Sequence, residues 1–280
     1  MKIKILSSIV KHTTLSNLVK NITPPILLKL LKKNLFKNHK AFTTYPSWEE
    51  AQKASIGYDD DSFIKKLRNS AKLVFEEKEI YERDTVIFTK IQYSWPLLAS
   101  LIFASSKCKT LKLIDFGGAL GTSFHQNKRF LSKLHKDFKW RIVEQPKLVD
   151  IGKKEFTDKF VSFYNTIEEA SVDQVDVVFF GGSICYMKNP YSYLEAAIET
   201  KAPYVIIDRT PITRDIDDTF AIQYVHPSIY KAAYPIRNFN YTNFVKPFEK
   251  DYNLIEEWVC DLQADPENTA MGFIFERNSM

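Results

Sequence analysis

The chain has 280 residues, 45% of them hydrophobic, with 21 Phe, 14 Tyr and 4 Trp; this is apolar mass enough for one large domain with an extension, and too much for a disordered chain. No apolar run reaches the roughly 18–20 residues that a membrane span needs. The three scattered cysteines, Cys108, Cys185 and Cys260, argue against a disulfide framework or a zinc site and suit a reducing, cytoplasmic setting.

The net charge of +5 is confined to one end. Residues 1–40 hold nine lysines and no acid, which leaves 30 basic against 34 acidic residues in the remainder. The main body therefore lacks the charge of a nucleic-acid-binding surface. Within 1–40, "PPILLKLLKKNLF" opens on two prolines, suited to a helix start, and carries a leucine stripe. Lysines interrupt any signal-peptide core. Two readings stand: an amphipathic helix on an anionic membrane surface, or a basic helix packed on the domain or a partner.

Residues 41–108 read as a helical prelude or lid. Ser47 and Glu50 have capping-box spacing. Asp61 or Ser62 caps a second helix to about Phe75, and "DTVIFTKIQYSWPLLASLIFASS" supplies a third, buried one. From residue 109 the pattern alternates. Strands are predicted at 111–116, 140–145, 160–163, 175–181 and 203–208, with helices at 121–136, 146–157 and 190–200. Strand candidates at 253–262 and 271–277 form a terminal hairpin. This alternation predicts an α/β fold, a mostly parallel sheet with crossover helices and an antiparallel ending.

In such sheets ligands sit at the carboxyl ends of strands where the strand order reverses. "LIDFGGALG" falls there. Gly117 and Gly118 permit close backbone approach, Gly121 lets the next helix pack near the strand, and Asp115 suits a ligand amine or the ordering of the turn. Glu144, at the end of the second strand, is placed to accept from both ribose hydroxyls of an adenosine-containing cofactor. A dinucleotide fingerprint, G-x-G-x-x-G, is not met.

The spacing D-x-G-x-x-x-G instead resembles the first motif of class I methyltransferases, with Ala119 where the middle glycine of that motif stands. More of the chain resembles one family of such enzymes, encoded among bacterial lipopolysaccharide, O-antigen and capsule genes. The pieces that carry this are "SWEEA…GYD", "YERDTVIF", "LIDFGGALGTSF", "VEQPKLVDIG", "YVIIDRTP" and "IQYVHPSIYKAAYPI", from about Pro24 onward. The resemblance implies a Rossmann-like fold with a seven-stranded sheet, S-adenosyl-L-methionine as cofactor, and methylation of a sugar oxygen in a surface polysaccharide or its nucleotide- or lipid-linked precursor. Rival readings are a nicotinamide-dependent sugar-nucleotide oxidoreductase and a degenerate scaffold of polysaccharide assembly.

Methyl transfer needs an acceptor held in line and, for a hydroxyl, a proton removed. Gly181, Gly182 and Ser183 are expected beside the sulfonium, with Tyr186 facing the acceptor; the alternative is a tight turn before Pro190. Asp208 is a candidate proton acceptor or sugar ligand, and Arg209 a clamp for an anionic group; the alternative is an ion pair bracing the loop. Arg83 suits the cofactor carboxylate, or else a solvated face beside an Asp84 helix cap. His125 follows the glycine turn near the expected cofactor. The unperturbed pKa of a histidine suits His226 to the role of general base, and Gln223, Tyr230 and Tyr234 suit acceptor contacts. No metal-ligand spacing stands out.

Overall fold

A computed structural model describes residues 41–55, 61–135, 137–225, 232–260 and 268–278. The expectations for residues 1–40, and for His226 and Tyr230, lie outside these. The described chain opens with strand β1 (Phe42–Tyr45) and helix α1 (Trp48–Ala54). Ser47 caps α1, accepting from the Glu50 amide at 3.3 Å. Helix α2 (Asp61–Phe75) buries Phe63, Ile64, Leu67, Ala71 and Val74 along one stripe.

The hairpin β2 (Tyr81–Arg83) and β3 (Val86–Phe88) and helix α3 (Trp95–Ser105) follow. The stretch expected to be helical thus carries three short strands, and its last helix starts at Trp95. Asp84 and Thr85 show why, with φ of 51° and 70°. They are the two left-handed residues that a two-residue hairpin turn requires, so Asp84 caps no helix. Pro96 sits in the first turn of α3, where its missing amide costs nothing.

Then come β4 (Leu111–Phe116), α4 (Thr122–Leu134), β5 (Phe138–Val143), α5 (Pro146–Glu155), β6 (Val161–Tyr164), α6 (Ile167–Ala170) and β7 (Val177–Gly181). A 3-10 turn (Ile184–Tyr186) leads to α7 (Pro190–Glu199) and β8 (Tyr204–Thr213). The end of the chain holds β9 (Thr219–Tyr224), β10 (Ala233–Asn240), α8 (Tyr241–Val245), β11 (Tyr252–Val259) and β12 (Thr269–Arg277).

Strands β6-β5-β4-β7-β8 are parallel neighbours, and β12 then β11 complete the sheet in antiparallel sense. This is the doubly wound, Rossmann-like arrangement with its terminal hairpin. The order reverses beside β4, so a ligand crevice is expected above its carboxyl end. Both faces of the sheet are covered: Leu113, Trp140, Val177 and Phe179 belong to one core, and Ile114, Val143, Val178 and Phe180 to the other.

Three further strands extend it. Strand β8 outlasts β7, whose last pairing is Gly181 with Asp208. Beyond that point Ile212 pairs with both Thr269 of β12 and Phe239 of β10. A strand has two edges, so β10 takes the edge that β7 leaves. With β9 and β1 it makes an antiparallel ribbon beyond the carboxyl end of β7. Among the described residues no helix is long and apolar enough to cross a membrane.

Candidate active site

The pairings Phe116–Val143, Phe116–Phe180 and Gly181–Asp208 set the ends of β4, β5 and β7 in one row with Asp208, midway along β8. A cleft of about 630 Å³ opens above that row, within the range of small-molecule sites. Gly117, Gly118, Glu144, Gly182, Ser183, Arg209, Arg83, Tyr186 and Gln223 all line it. So do Asp84, Ala119, Thr122, Phe42, Ile236 and Asn238.

The glycine turn is closely fitted. A Cβ on Gly117 would stand 2.3 Å from that of Ser183, and one on Gly118 would stand 2.6 Å from the Asp115 carboxyl carbon. Gly117 also has φ of 71°, where side chains are strained. Ser183 donates to the carbonyl of Phe116 at 2.6 Å, so its hydroxyl ties the end of β7 to that of β4. Ala119 adopts φ of 50° despite its side chain. Its amide donates to Glu144 Oε1 at 3.2 Å, while Glu144 Oε2 accepts from Gln145 at 2.8 Å. Burial raises the Glu144 pKa, with these two amides acting against it.

Asp115 does not line the cleft. It is 1% exposed and sits beneath Gly118, accepting from Trp140 Nε1 at 2.9 Å. Of its two expected roles, the ordering of the turn is the one this position permits. Burial pushes its pKa up to about 7. Gly121, with φ of 103°, is the N-cap residue of α4 and is not among the residues that line the cleft. His125 packs edge-on against Phe75 and Phe124 away from the cleft, where burial brings its pKa down to about 4.

Asp208 is also away from the cleft, being wholly buried. Its Oδ1 accepts from Trp258 Nε1 at 3.0 Å and from Cys260 Sγ at 3.3 Å, and its Oδ2 lies 3.6 Å from Arg209 Nε. Asp208 is not among the residues that line the cleft, a placement that matches the ion pair bracing the loop rather than the proton-accepting role. The cause is a β-bulge. Thr210 pairs with Met271 and Ile207 with Phe273, so Asp208 and Arg209 together face Gly272 alone. Arg209 has φ of 57°, and the bulge turns its side chain toward the cleft.

Gly272 is the other half of this device. A Cβ there would fall 2.1 Å from the Trp258 ring, so the missing side chain lets the indole lie across β12 and reach Asp208. The Arg209 guanidinium donates to the carbonyl of Gly181 at 2.5 Å. Arg209 thus has Asp208 beside it, as the ion-pair reading expects, while its side chain also lines the cleft. Arg83, on the hairpin across the cleft, stacks on Phe88 at 5.6 Å.

Glu82 had no place in the sequence reading. It is 3% exposed and accepts from the Thr122 hydroxyl and from the Thr85 amide, the latter at 3.2 Å. It thereby fastens the hairpin to the first turn of α4. Burial raises its pKa to about 7. No sequence pattern marks such a residue, since its partners lie three and forty positions away.

No protein-family model matches the chain, and no curated protein matches it. Among solved structures, the N-terminal domain of EvdMO1, determined in the presence of SAH and D-fucose, is 11% identical with a TM-score of 0.46; the match covers 75% of this chain and 97% of that one. The N-methyltransferase NodS from Bradyrhizobium japonicum WM9, in complex with S-adenosyl-L-homocysteine, is 11% identical with a TM-score of 0.43, over 75% of this chain and 100% of that one. The amino pentose methyltransferase CalS10 from Micromonospora echinaspora is 9% identical with a TM-score of 0.42, over 66% of this chain and 89% of that one.

Proposed function

We propose that the cleft binds S-adenosyl-L-methionine and that the chain transfers its methyl group to a sugar oxygen, in a surface polysaccharide or its nucleotide- or lipid-linked precursor. One observation carries this reading: the glycine turn and Glu144 meet in a single cleft at the point where strand order reverses. The donor set fits the group. Each Glu144 oxygen accepts one backbone amide and retains a lone pair for a ribose hydroxyl. The left-handed turn brings backbone rather than side chain against the ligand. Arg83 is the cation on the cleft wall suited to a carboxylate.

When bound, the cofactor supplies an electrophilic methyl group. The remaining work falls to positioning, because in-line displacement gains most of its rate from holding the two reactants in contact. Gly181 and Gly182 form the floor, and the guanidinium of Arg209 stiffens it through the Gly181 carbonyl. The hairpin β2–β3, pinned by Glu82, lines the cleft with Arg83 and Asp84 and limits water. Asp84 and Glu144 are the carboxylates lining the cleft among the described residues. With Glu144 assigned to ribose, Asp84 is the group to take the acceptor's proton, and His226 keeps its place as the alternative. The lysine-rich residues 1–40 bring the chain to an anionic membrane face; loss of liposome binding on their removal is the expected result.

The test is calorimetric titration of the purified chain with S-adenosylhomocysteine and, separately, with NAD. Binding of the first alone is expected. Binding of NAD alone returns the oxidoreductase, and binding of neither returns the scaffold.

A further inference from the structure

The ribbon β1–β9–β10 presents one face to the cleft. Phe42 pairs with Gln223, Gln223 with Tyr234, Ala221 with Ile236 and Thr219 with Asn238. Residues directly opposite one another share a face, as do alternate residues along a strand. Phe42, Gln223, Ile236 and Asn238 accordingly line the cleft, joined by Tyr186 from the 3-10 turn. The face lies beyond the carboxyl end of β7, next to the floor formed by Gly181 and Gly182.

Its polar groups are incompletely paired. Tyr186 donates to Gln223 Oε1 at 2.6 Å, which leaves the Gln223 amide nitrogen to donate elsewhere. Asn238 is 2% exposed. Its Nδ2 donates to the Thr219 hydroxyl at 3.2 Å, while its Oδ1 is buried without a partner. Whichever way that amide is turned, one of its two polar atoms is left over. Such an atom costs about 1–3 kcal/mol and in a cleft wall points to a group supplied by a ligand.

The face carries no free cation among the described residues. Arg209 is held by Gly181 and Asp208. Arg237, on the opposite face of β10, is held by Asp218 at 2.9 Å and by the Lys188 carbonyl at 3.1 Å. A phosphate or carboxylate placed against this face would lose water with no cation of the ribbon, among the described residues, to neutralise it. A hydroxyl both donates and accepts, so it satisfies either leftover amide atom. Gln223 and Asn238 stand four positions apart in register, about 13 Å at the rise of a strand, with Ile236 between them.

We infer that this face is the acceptor subsite, and that it takes an elongated, uncharged, hydroxyl-bearing portion of the acceptor with Gln223 and Asn238 as its specificity-determining residues. The inference rests on the methyl-transfer reading of the cleft and narrows it: any charged group of the acceptor lies off this wall.

The experiment is saturation-transfer NMR on the full chain with neutral methyl pyranosides and neutral disaccharides. Glucuronic acid and glucose 6-phosphate serve as charged counterparts, each measured with and without S-adenosylhomocysteine. Neutral saccharides are expected to bind, the charged ones at least tenfold more weakly. Asn238→Leu and Gln223→Leu should each weaken neutral binding tenfold or more, while S-adenosylhomocysteine affinity stays within twofold. Gln223 is only half-buried, so its variant remains informative if Asn238→Leu fails to fold. Stronger binding of the charged sugars, no binding of neutral ones, or unchanged affinity in folded variants overturns the subsite. If neutral sugars bind but S-adenosylhomocysteine does not, the methyl-transfer reading falls and the subsite stands.

Discussion

The two walls of the cleft are built on opposite plans. On the β4–β5 side the carboxylate that lines the cleft is paired before any ligand arrives: Glu144 holds the Ala119 and Gln145 amides, and beneath the turn, off the cleft, Trp140 holds one oxygen of Asp115 while the other is buried without a partner. On the ribbon side, Asn238 and Gln223 keep amide atoms in reserve. A wall whose shape is fixed in advance suits a constant ligand, since pre-organisation lowers the cost of binding. A wall with unpaired neutral groups suits discrimination, because a partner lacking the matching group leaves them unpaired. A third element, the Asp208–Arg209 bulge with Gly272 and Trp258, braces the floor between the two.

The sharpest way to break this division is to remove the brace. Asp208→Ala leaves the half-buried Arg209 without its counter-charge and the Trp258 N–H without its acceptor, and should cost about 3 kcal/mol in urea unfolding, the low end for a broken buried pair. Gly272→Ala reaches the same brace from the other side, by displacing the Trp258 ring. Overpacking of this kind costs about 1–3 kcal/mol, and it should lower S-adenosylhomocysteine affinity without touching a lining residue. An unchanged melting temperature in either variant would remove the brace from the account.

A subtler probe is pH. Glu82 and Asp115 both have carboxyl pKa values raised by burial to about 7, from ordinary values of 4.5 and 3.8. The folded state therefore binds protons that the unfolded state has released. The stability this contributes is fully present below about pH 4 and is lost as pH rises through about 7. The melting temperature should fall by a few degrees between pH 5.5 and 8, less steeply in Glu82→Gln and least of all with Asp115→Asn added. A wild-type profile that rises with pH would contradict this.

The smallest effect concerns Ala119. Relieving its left-handed backbone gains about 1–2 kcal/mol, against about 0.5–1 kcal/mol of added chain entropy for glycine. Ala119→Gly should raise stability by about 0.5 kcal/mol, seen as a small shift in the urea midpoint. A loss would mean that the methyl group packs usefully where it stands.

What could be read from the sequence divides along the same line as the walls. Strand β4 fell at its predicted residues, and β5, β7 and β8 began or ended within a few, because each is a short apolar run buried on both faces and followed by a turn. The local pair of a glycine turn and Glu144 was visible for the same reason. The ribbon was not. Strands β9 and β10 carry mixed sequences such as "TFAIQY" and "AYPIRNFN", whose strand character depends on β8 outlasting β7, a fact of tertiary structure. The sequence leaves the two readings of Asp208 open because a bulge, which reverses the alternation of side chains, leaves no local trace. Its signal, Gly272, lies 64 positions away, in the terminal hairpin.

The most direct test of the two-wall account is calorimetric titration of S-adenosylhomocysteine into the wild-type chain, Glu144→Ala and Asn238→Leu. The account predicts that Glu144→Ala weakens binding tenfold or more while Asn238→Leu leaves it within twofold. Equal binding by Glu144→Ala and the wild type, or a comparable loss in a folded Asn238→Leu, would contradict the assignment of the cofactor to one wall and the acceptor to the other.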